Sequence, residues 1–119
     1  MSELSTHLRR AEEFAATARS SEFIAPRVEM WFQSAYQWIE ACAAKARVHI
    51  MKHQRVPDEL LRNPTILGEA SEEVAKAFRH LDNVARSKFV YGSSGTRKDL
   101  DEAQRCFEVI EERCRARLK

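Results

Sequence analysis

An arginine and a histidine near the middle of the chain have a spacing that could serve phosphodiester chemistry. Arg47 and His53 are separated by five residues. An imidazole can accept or donate the proton of a ribose hydroxyl while a guanidinium holds the phosphate, so the pair could cleave RNA without a metal. On an unbroken helix, steps of about 100° per residue place the two side chains about 120° apart. They could act together only if the helix ends near Met51 or across a dimer axis. Otherwise they are basic residues favoured by the helix dipole.

A second group of polar residues spans the end of the third predicted helix and the loop after it. It comprises His80, Asp82, Arg86, Lys88, Tyr91 and Gly92. Asp82 and Arg86 have the i,i+4 spacing of a helix ion pair. Asp82 also lies near the apolar stripe, so it could pair inward with Arg86 or with a histidine. Tyr91 could pack its ring on the bundle end with its hydroxyl in a cleft.

Three residues of the second predicted helix could suit a metal ion: Cys42, His49 and His53. Histidines at i and i+4 have good metal-ligand spacing. The nearby sequence supplies no carboxylate, however, and Cys42 lies two turns away. We therefore predict no metal site and no cofactor. The sequence also contains no CxxC pair, no loop ending in GK[ST] and no serine placed with a histidine and a carboxylate. A zinc ribbon, a phosphate-binding loop and a serine triad are thus not supported.

Four amphipathic helices must position these residues. We predict them at about 2–20, at 27–53, from 64 or 71 to 87, and from a cap at Thr96 or Asp99 to the end. A serine pair, two prolines and a glycine- and serine-containing loop mark the breaks. Such helices with short connections favour an all-α fold, an up-and-down antiparallel four-helix bundle with room for a short fifth helix. Residues 1–119 would form a single domain.

The second helix is apolar on more sides than a surface helix needs. One stripe is typical of a core-facing helix and comprises Val28, Phe32, Ala35, Ile39, Cys42 and Ala46. Trp31 and Trp38 fall off that stripe, on a second apolar face. We therefore predict that the helix is buried both in its own subunit and against a second copy, with Trp31 and Trp38 at a dimer interface.

Composition narrows the class of protein. A chain of 119 residues with 44% hydrophobic and 32% charged residues is typical of one globular domain. A net charge of +2 is too small to indicate nucleic-acid binding by itself. Neither a membrane span nor a signal peptide is expected. The three cysteines predict buried, reduced thiols and a cytoplasmic location.

The order of several short motifs resembles a known family. The motifs are Ala11-Glu-Glu-Phe14, Phe32-Gln-Ser-Ala-Tyr36, the segment from His49 to His53, Ala85-Arg86 with Tyr91, and Asp99-Leu-Asp-Glu-Ala103. Together they resemble the HEPN superfamily of small helical bundles, especially its minimal single-domain prokaryotic members. The similarity covers nearly the whole chain.

The resemblance implies a bundle of four or five helices that is usually a homodimer. Many members are RNases or toxins paired with a nucleotidyltransferase-type antitoxin, and others are non-catalytic nucleotide-binding or interaction modules. RNase members carry an arginine, four to six residues and then a histidine. Arg47 and His53 match this pattern, although the motif usually lies near the later helices. There, Arg86 is followed after four residues by Tyr91 instead of a histidine.

We therefore expect a HEPN-like dimer that binds a nucleotide, RNA or a nucleotidyltransferase partner, and binding rather than catalysis. Arg47 and Arg86 would hold phosphate, while His53 would be the acid or base. The expected basic cleft comprises Arg47, His49, His53, Arg86 and Tyr91.

Two alternatives remain open. The first is a metal-independent RNase toxin of a toxin–antitoxin pair, in which Arg47 and His53 act across the dimer. The second is a purely structural dimeric adaptor without catalytic activity, whose working surface is the face of Trp31 and Trp38.

Overall fold

The chain folds into helices joined by short connections. The structure, a computed structural model, describes residues 3–119, and every regular element in that range is helical. The α-helices are α1 (Glu3–Ser20), α2 (Ile24–Lys45), α3 (Val56–Arg62), α4 (Pro64–Leu67), α5 (Ser71–His80), α6 (Arg86–Phe89) and α7 (Arg97–Leu118). The all-α prediction is confirmed. The predicted start of the first helix at Ser2 lies outside the described residues.

Within residues 3–119, two 3₁₀ turns and one π-helical turn also lie between the α-helices. The 3₁₀ turns are His53–Arg55 and Gly68–Ala70, and the π turn is Leu81–Ala85. The π turn joins α5 to α6 without a break, so residues 71–89 form one continuous rod. Of the two predicted starts for the third helix, Ser71 is the one observed, and the rod ends at Phe89 instead of Ser87.

Small residues let α1 lie close to α2. Ala11, Ala15 and Ala18 are buried on one stripe of α1. The buried hydroxyl of Ser34 in α2 donates a hydrogen bond to the carbonyl oxygen of Ala11 at 2.6 Å. Because these side chains are short, the two helix backbones can approach, and α1 covers one side of α2.

Helix α2 is buried on several sides by its own chain. Trp31 is 6% exposed and stacks on Phe107 of α7, with ring centroids 6.4 Å apart. Trp38 is 1% exposed, and the guanidinium of Arg115 lies 4.5 Å from its ring centroid. The second apolar face is therefore covered by α7. This corrects the prediction that the two tryptophans offer a surface to a second copy, because neither side chain is available for one.

Helix α2 ends at Lys45, eight residues before the predicted end at His53. The Arg47 N–H donates to the Ala44 carbonyl at 3.0 Å, and the Val48 N–H donates to the Ala43 carbonyl at 2.8 Å. This pair of bonds is a Schellman motif, in which the residue after the cap adopts a left-handed conformation. Arg47 takes that conformation, with φ of 61°. The end was missed because glycine, the usual residue here, is absent.

The last helix begins where the sequence predicts. Thr96 is its N-cap and accepts a hydrogen bond from the Asp99 N–H at 3.2 Å. The Asp99 carboxylate accepts one in return from the Thr96 N–H at 2.9 Å. This reciprocal pair is a capping box, so the predicted cap is confirmed.

Two further expectations concern the chain as a whole. Cys42, Cys106 and Cys114 are buried and free, as predicted. Among residues 3–119, no helix combines the length and the apolar character needed to cross a bilayer.

Candidate functional site

Arg86, the first residue of α6, is the centre of a polar cluster between α2 and the π turn. Its Nε donates to Glu29 Oε1 at 3.0 Å, and its Nη1 donates to Asp82 Oδ1 at 2.9 Å. Its Nη2 donates to the Tyr91 hydroxyl at 3.0 Å. The guanidinium also lies 4.0 Å from the ring centroid of Phe32, a cation–π distance. With a side-chain exposure of 12%, Arg86 is largely enclosed by these partners.

Asp82 extends the cluster to the segment after α2. Its second oxygen, Oδ2, accepts a hydrogen bond from His53 Nδ1 at 3.1 Å. The predicted inward pairing of Asp82 with Arg86 or with a histidine is therefore confirmed for both. Asp82 lies within the π turn, whose wider winding often marks functional segments of helices.

The His53 ring is held in one orientation. It meets the Phe32 ring edge-on at a centroid distance of 5.2 Å, and the Tyr36 ring at 6.2 Å. With Nδ1 bound to Asp82, the other ring nitrogen, Nε2, makes no hydrogen bond to any residue from 3 to 119. The side chain is one-third exposed. Such an arrangement leaves Nε2 available to a ligand or for proton transfer.

The cluster is not basic. Two carboxylates, those of Glu29 and Asp82, bond one guanidinium. Burial by itself would lower the pKa of Arg86, but hydrogen bonds to Glu29 and Asp82 outweigh it and raise this pKa above its usual value. The positive charge is therefore permanent but already neutralised. This corrects the expectation that Arg86 holds phosphate, because a phosphate there would have to displace or face two carboxylates.

The structure brings together three of the five residues expected in the cleft. His53, Arg86 and Tyr91 belong to the cluster, whereas Arg47 and His49 are exposed residues in and just after the turn that ends α2. Neither hydrogen-bonds to a described member of the cluster. The predicted catalytic pair of Arg47 and His53 is therefore not formed within the chain. Because the helix ends at Lys45, helical spacing does not relate the two residues.

The alternative metal set on α2 is also not assembled. Cys42 is 1% exposed, and its Sγ donates to the Cys114 carbonyl at 3.7 Å inside the core. His49 is exposed, and His53 is turned toward Asp82. These three side chains therefore lie in different environments.

Three members of the cluster were not predicted from the sequence. Glu29, Phe32 and Tyr36 share one face of α2 by their i, i+3 and i+7 spacing. A signal was present, because Glu29 is one of only two carboxylates, with Glu40, on a helix that is apolar on most sides. A carboxylate removed from water is costly unless it is paired, and Glu29 is paired with Arg86.

Cations without carboxylate partners lie beside His53. Lys52 and Arg55 flank it in the chain and are exposed, and neither forms an ion pair with a residue of the described range. Tyr91 at the other end of the cluster is 73% exposed. The cluster therefore presents a fixed imidazole and an exposed phenol ring, and the residues next to His53 in the chain add two exposed positive charges without a described carboxylate partner.

Comparison of the chain with protein-family models, with curated proteins and with solved structures found no match.

Proposed function

We propose that the chain is a HEPN-like module that binds RNA or a nucleotide over His53 and Tyr91. A continuous path of hydrogen bonds supports this proposal. It runs through His53, Asp82, Arg86 and Tyr91. The path holds an imidazole and an exposed aromatic ring at its two ends. Arg86 is a positioning residue here and does not itself bind phosphate.

The residues at the surface match the two parts of a nucleotide. An exposed tyrosine ring next to a guanidinium is a platform on which a base can stack, and the Tyr91 ring centroid lies 5.4 Å from the Arg86 guanidinium carbon. The phosphates would be bound by Lys52 and Arg55, whose charges are not neutralised by a described carboxylate. His53 Nε2 would donate to or accept from the sugar or phosphate.

The proposal has an architectural part. We propose that α1, α2, the rod at 71–89 and α7 form an up-and-down antiparallel four-helix bundle, with the short helices α3 and α4 in the connection before the rod. The HEPN resemblance supports a homodimer and a nucleotidyltransferase-type partner. Buried, free cysteines are typical of a cytoplasmic protein.

The test is binding of a fluorescein-labelled single-stranded RNA, measured by anisotropy at several salt concentrations. If Lys52 and Arg55 bind phosphates, the variant Lys52→Gln/Arg55→Gln should reduce the magnitude of the slope of log K against log salt by about 1.4, since each phosphate contact to a single strand contributes about 0.7. Tyr91→Ala should weaken binding by roughly tenfold, the effect of losing one stacked base. The matched control is Arg10→Gln/Arg19→Gln, which removes two exposed charges from α1 and should change neither quantity.

Absence of binding by the wild-type chain to both this RNA and a labelled ATP analogue would overturn the proposal. So would equal effects of the two charge variants, because binding would then depend on net charge alone.

A metal-independent RNase is the second candidate, and the pairing of His53 with Asp82 favours it. A carboxylate that fixes Nδ1 leaves Nε2 positioned as a general acid or base. This candidate predicts RNA cleavage in EDTA that is lost in His53→Ala while the circular dichroism spectrum is retained. Intact RNA after incubation with the wild-type chain would exclude catalysis and leave the binding proposal in place.

A further inference from the structure

A second group of chemically reactive side chains lies outside the cluster around Arg86. It occupies a groove of about 480 Å³ between the rod at 71–89 and α7. The walls are apolar where Ala77, Val84 and Val109 line them. His80, Glu102 and Cys106 also line this groove, and the proposed RNA-binding surface uses none of them.

These three side chains converge on one point. One ligating atom from each, an imidazole nitrogen, a carboxylate oxygen and the thiol sulfur, lies within 4.8 Å of the other two. A tetrahedral zinc site with bonds of 2.0–2.3 Å requires ligand atoms about 3.4 Å apart. Side-chain rotations that move the ligand atoms by roughly 1 Å would therefore bring them to the spacing that a bound ion requires.

The local structure explains why these residues meet. Glu102 and Cys106 are four residues apart on α7 and so share one face of that helix. His80 is the last residue of α5, immediately before the π turn, and α5 packs directly against α7. Cys106 is 8% exposed, whereas His80 and Glu102 are partly exposed, so the thiol forms the floor of the group and the other two its sides.

We propose that His80, Glu102 and Cys106 bind a divalent transition-metal ion of the zinc class. A thiol with an imidazole selects borderline ions such as Zn²⁺ and Co²⁺ and disfavours Mg²⁺ and Ca²⁺, which prefer oxygen ligands. Three protein ligands leave one tetrahedral position open to the groove, where water or a partner's side chain can bind. The sequence did not indicate the site, because His80 lies far from Cys106 in the chain and no CxxC pair is present.

Among residues 3–119, Glu102 forms an ion pair that would compete with a metal ion. Arg105 Nη1 lies 3.1 Å from Glu102 Oε2, with side-chain exposures of 68% and 42%. An exposed pair of this kind contributes little stability, so it would not prevent metal binding by the carboxylate.

The test is titration of the reduced full chain with Co²⁺, followed by absorption spectroscopy. The wild-type chain should bind one ion, with the visible bands of a tetrahedral site and a near-ultraviolet thiolate-to-cobalt band. Cys106→Ser should abolish the thiolate band. His80→Ala and Glu102→Gln should each weaken Co²⁺ binding by more than roughly tenfold. Added Zn²⁺ should displace the Co²⁺ and abolish its absorption bands.

The matched controls are Cys42→Ala, which removes a different buried thiol, and His49→Ala, which removes an exposed histidine. Both should keep the wild-type cobalt spectrum. The proposal is overturned if the wild-type chain shows no thiolate band, or if Cys106→Ser keeps it while its circular dichroism spectrum is native. A second readout is thermal unfolding, in which Zn²⁺ should raise the Tm of the wild-type chain but not of Cys106→Ser.

Discussion

A single guanidinium, that of Arg86, connects most side chains of the polar cluster. Arg86 donates to Glu29, Asp82 and Tyr91 and packs its face on Phe32. A planar fork of donors suits this arrangement, whereas a lysine ammonium could not make the same set of bonds. Arg86 thereby joins α2, the π turn and the loop after α6.

Replacement of Arg86 should therefore destabilise the fold. Arg86→Ala leaves the carboxylates of Glu29 and Asp82 without their cation, and we expect the free energy of unfolding to fall by about 2–4 kcal/mol. Arg86→Lys keeps the charge and should lie between this variant and the wild type. Urea denaturation measures the difference.

Arg113 provides the control for this prediction. It bonds Glu73 at 2.7 Å, but both side chains are about half exposed. Arg113→Ala should cost less than about 1 kcal/mol. Equal losses for the two alanine variants would show that Arg86 is only a surface ion pair.

Glu40 predicts a pH dependence of stability. Its side chain is buried, and Oε1 has no hydrogen-bond partner in the described structure. Burial raises the pKa of Glu40, partly offset by the nearby His7 and His49. A carboxyl with a raised pKa favours the folded state below its unfolded pKa of 4.5, and this contribution is lost as the pH rises through the folded pKa. Glu40→Gln should thus stabilise the chain at pH 7 and have little effect at pH 4, measured by urea denaturation. A gain of equal size at both pH values would contradict this assignment.

At the scale of elements, the end of α2 depends on one unusual residue. Arg47 adopts φ of 61°, a left-handed conformation that costs most residues roughly 1–2 kcal/mol. Two backbone hydrogen bonds of the Schellman motif keep it there. The chain can then leave the helix axis and carry His53 back toward Asp82.

Arg47→Gly should for this reason stabilise the chain. Glycine adopts positive φ without steric cost, and after its greater loss of backbone entropy we expect a net gain of about 0.5–1 kcal/mol. Arg47→Ala removes the same charge but keeps the steric cost, so its stability should match that of the wild type. Thermal and urea denaturation of the wild type and the two variants separate the relief of the steric cost from the loss of the charge. A loss of stability in Arg47→Gly would show that the arginine side chain itself holds the turn.

At the scale of the whole molecule, α2 is the central helix of the core. Its indoles lie against α7 through Phe107 and Arg115, so the chain completes its core without a second copy. The homodimer remains a prediction, and its interface would have to use other residues. The groove that contains His80 lies between the rod at 71–89 and α7. The surface around His53 lies beside α2, because the His53 ring contacts Phe32 and Tyr36 of that helix.

Trp38→Ala tests this view of the core. Removal of a fully buried indole should lower the free energy of unfolding by about 3–5 kcal/mol. The mass in solution, measured by analytical ultracentrifugation, should match that of the wild-type chain wherever the variant is folded. A folded variant with normal stability but a smaller mass would instead indicate that Trp38 does lie at a dimer interface.

The local pattern of the sequence determined what depends on near neighbours in the chain. Apolar periodicity predicted the long helices, Thr96 and Asp99 predicted the last N-terminus, and the i,i+4 spacing of Asp82 and Arg86 predicted their inward pair. These features are visible because helical hydrogen bonds and caps join residues that are three or four positions apart.

Only the tertiary structure decided what those residues do together. His53 meets Asp82 across 29 positions, and Arg86 meets Glu29 across 57. Such contacts depend on how helices pack and on where α2 ends, and that end is set by a left-handed arginine for which the sequence has no ordinary signal. For the same reason, packing against α7 determined that the tryptophans are buried within the chain, and the meeting of α5 and α7 placed His80 beside Cys106.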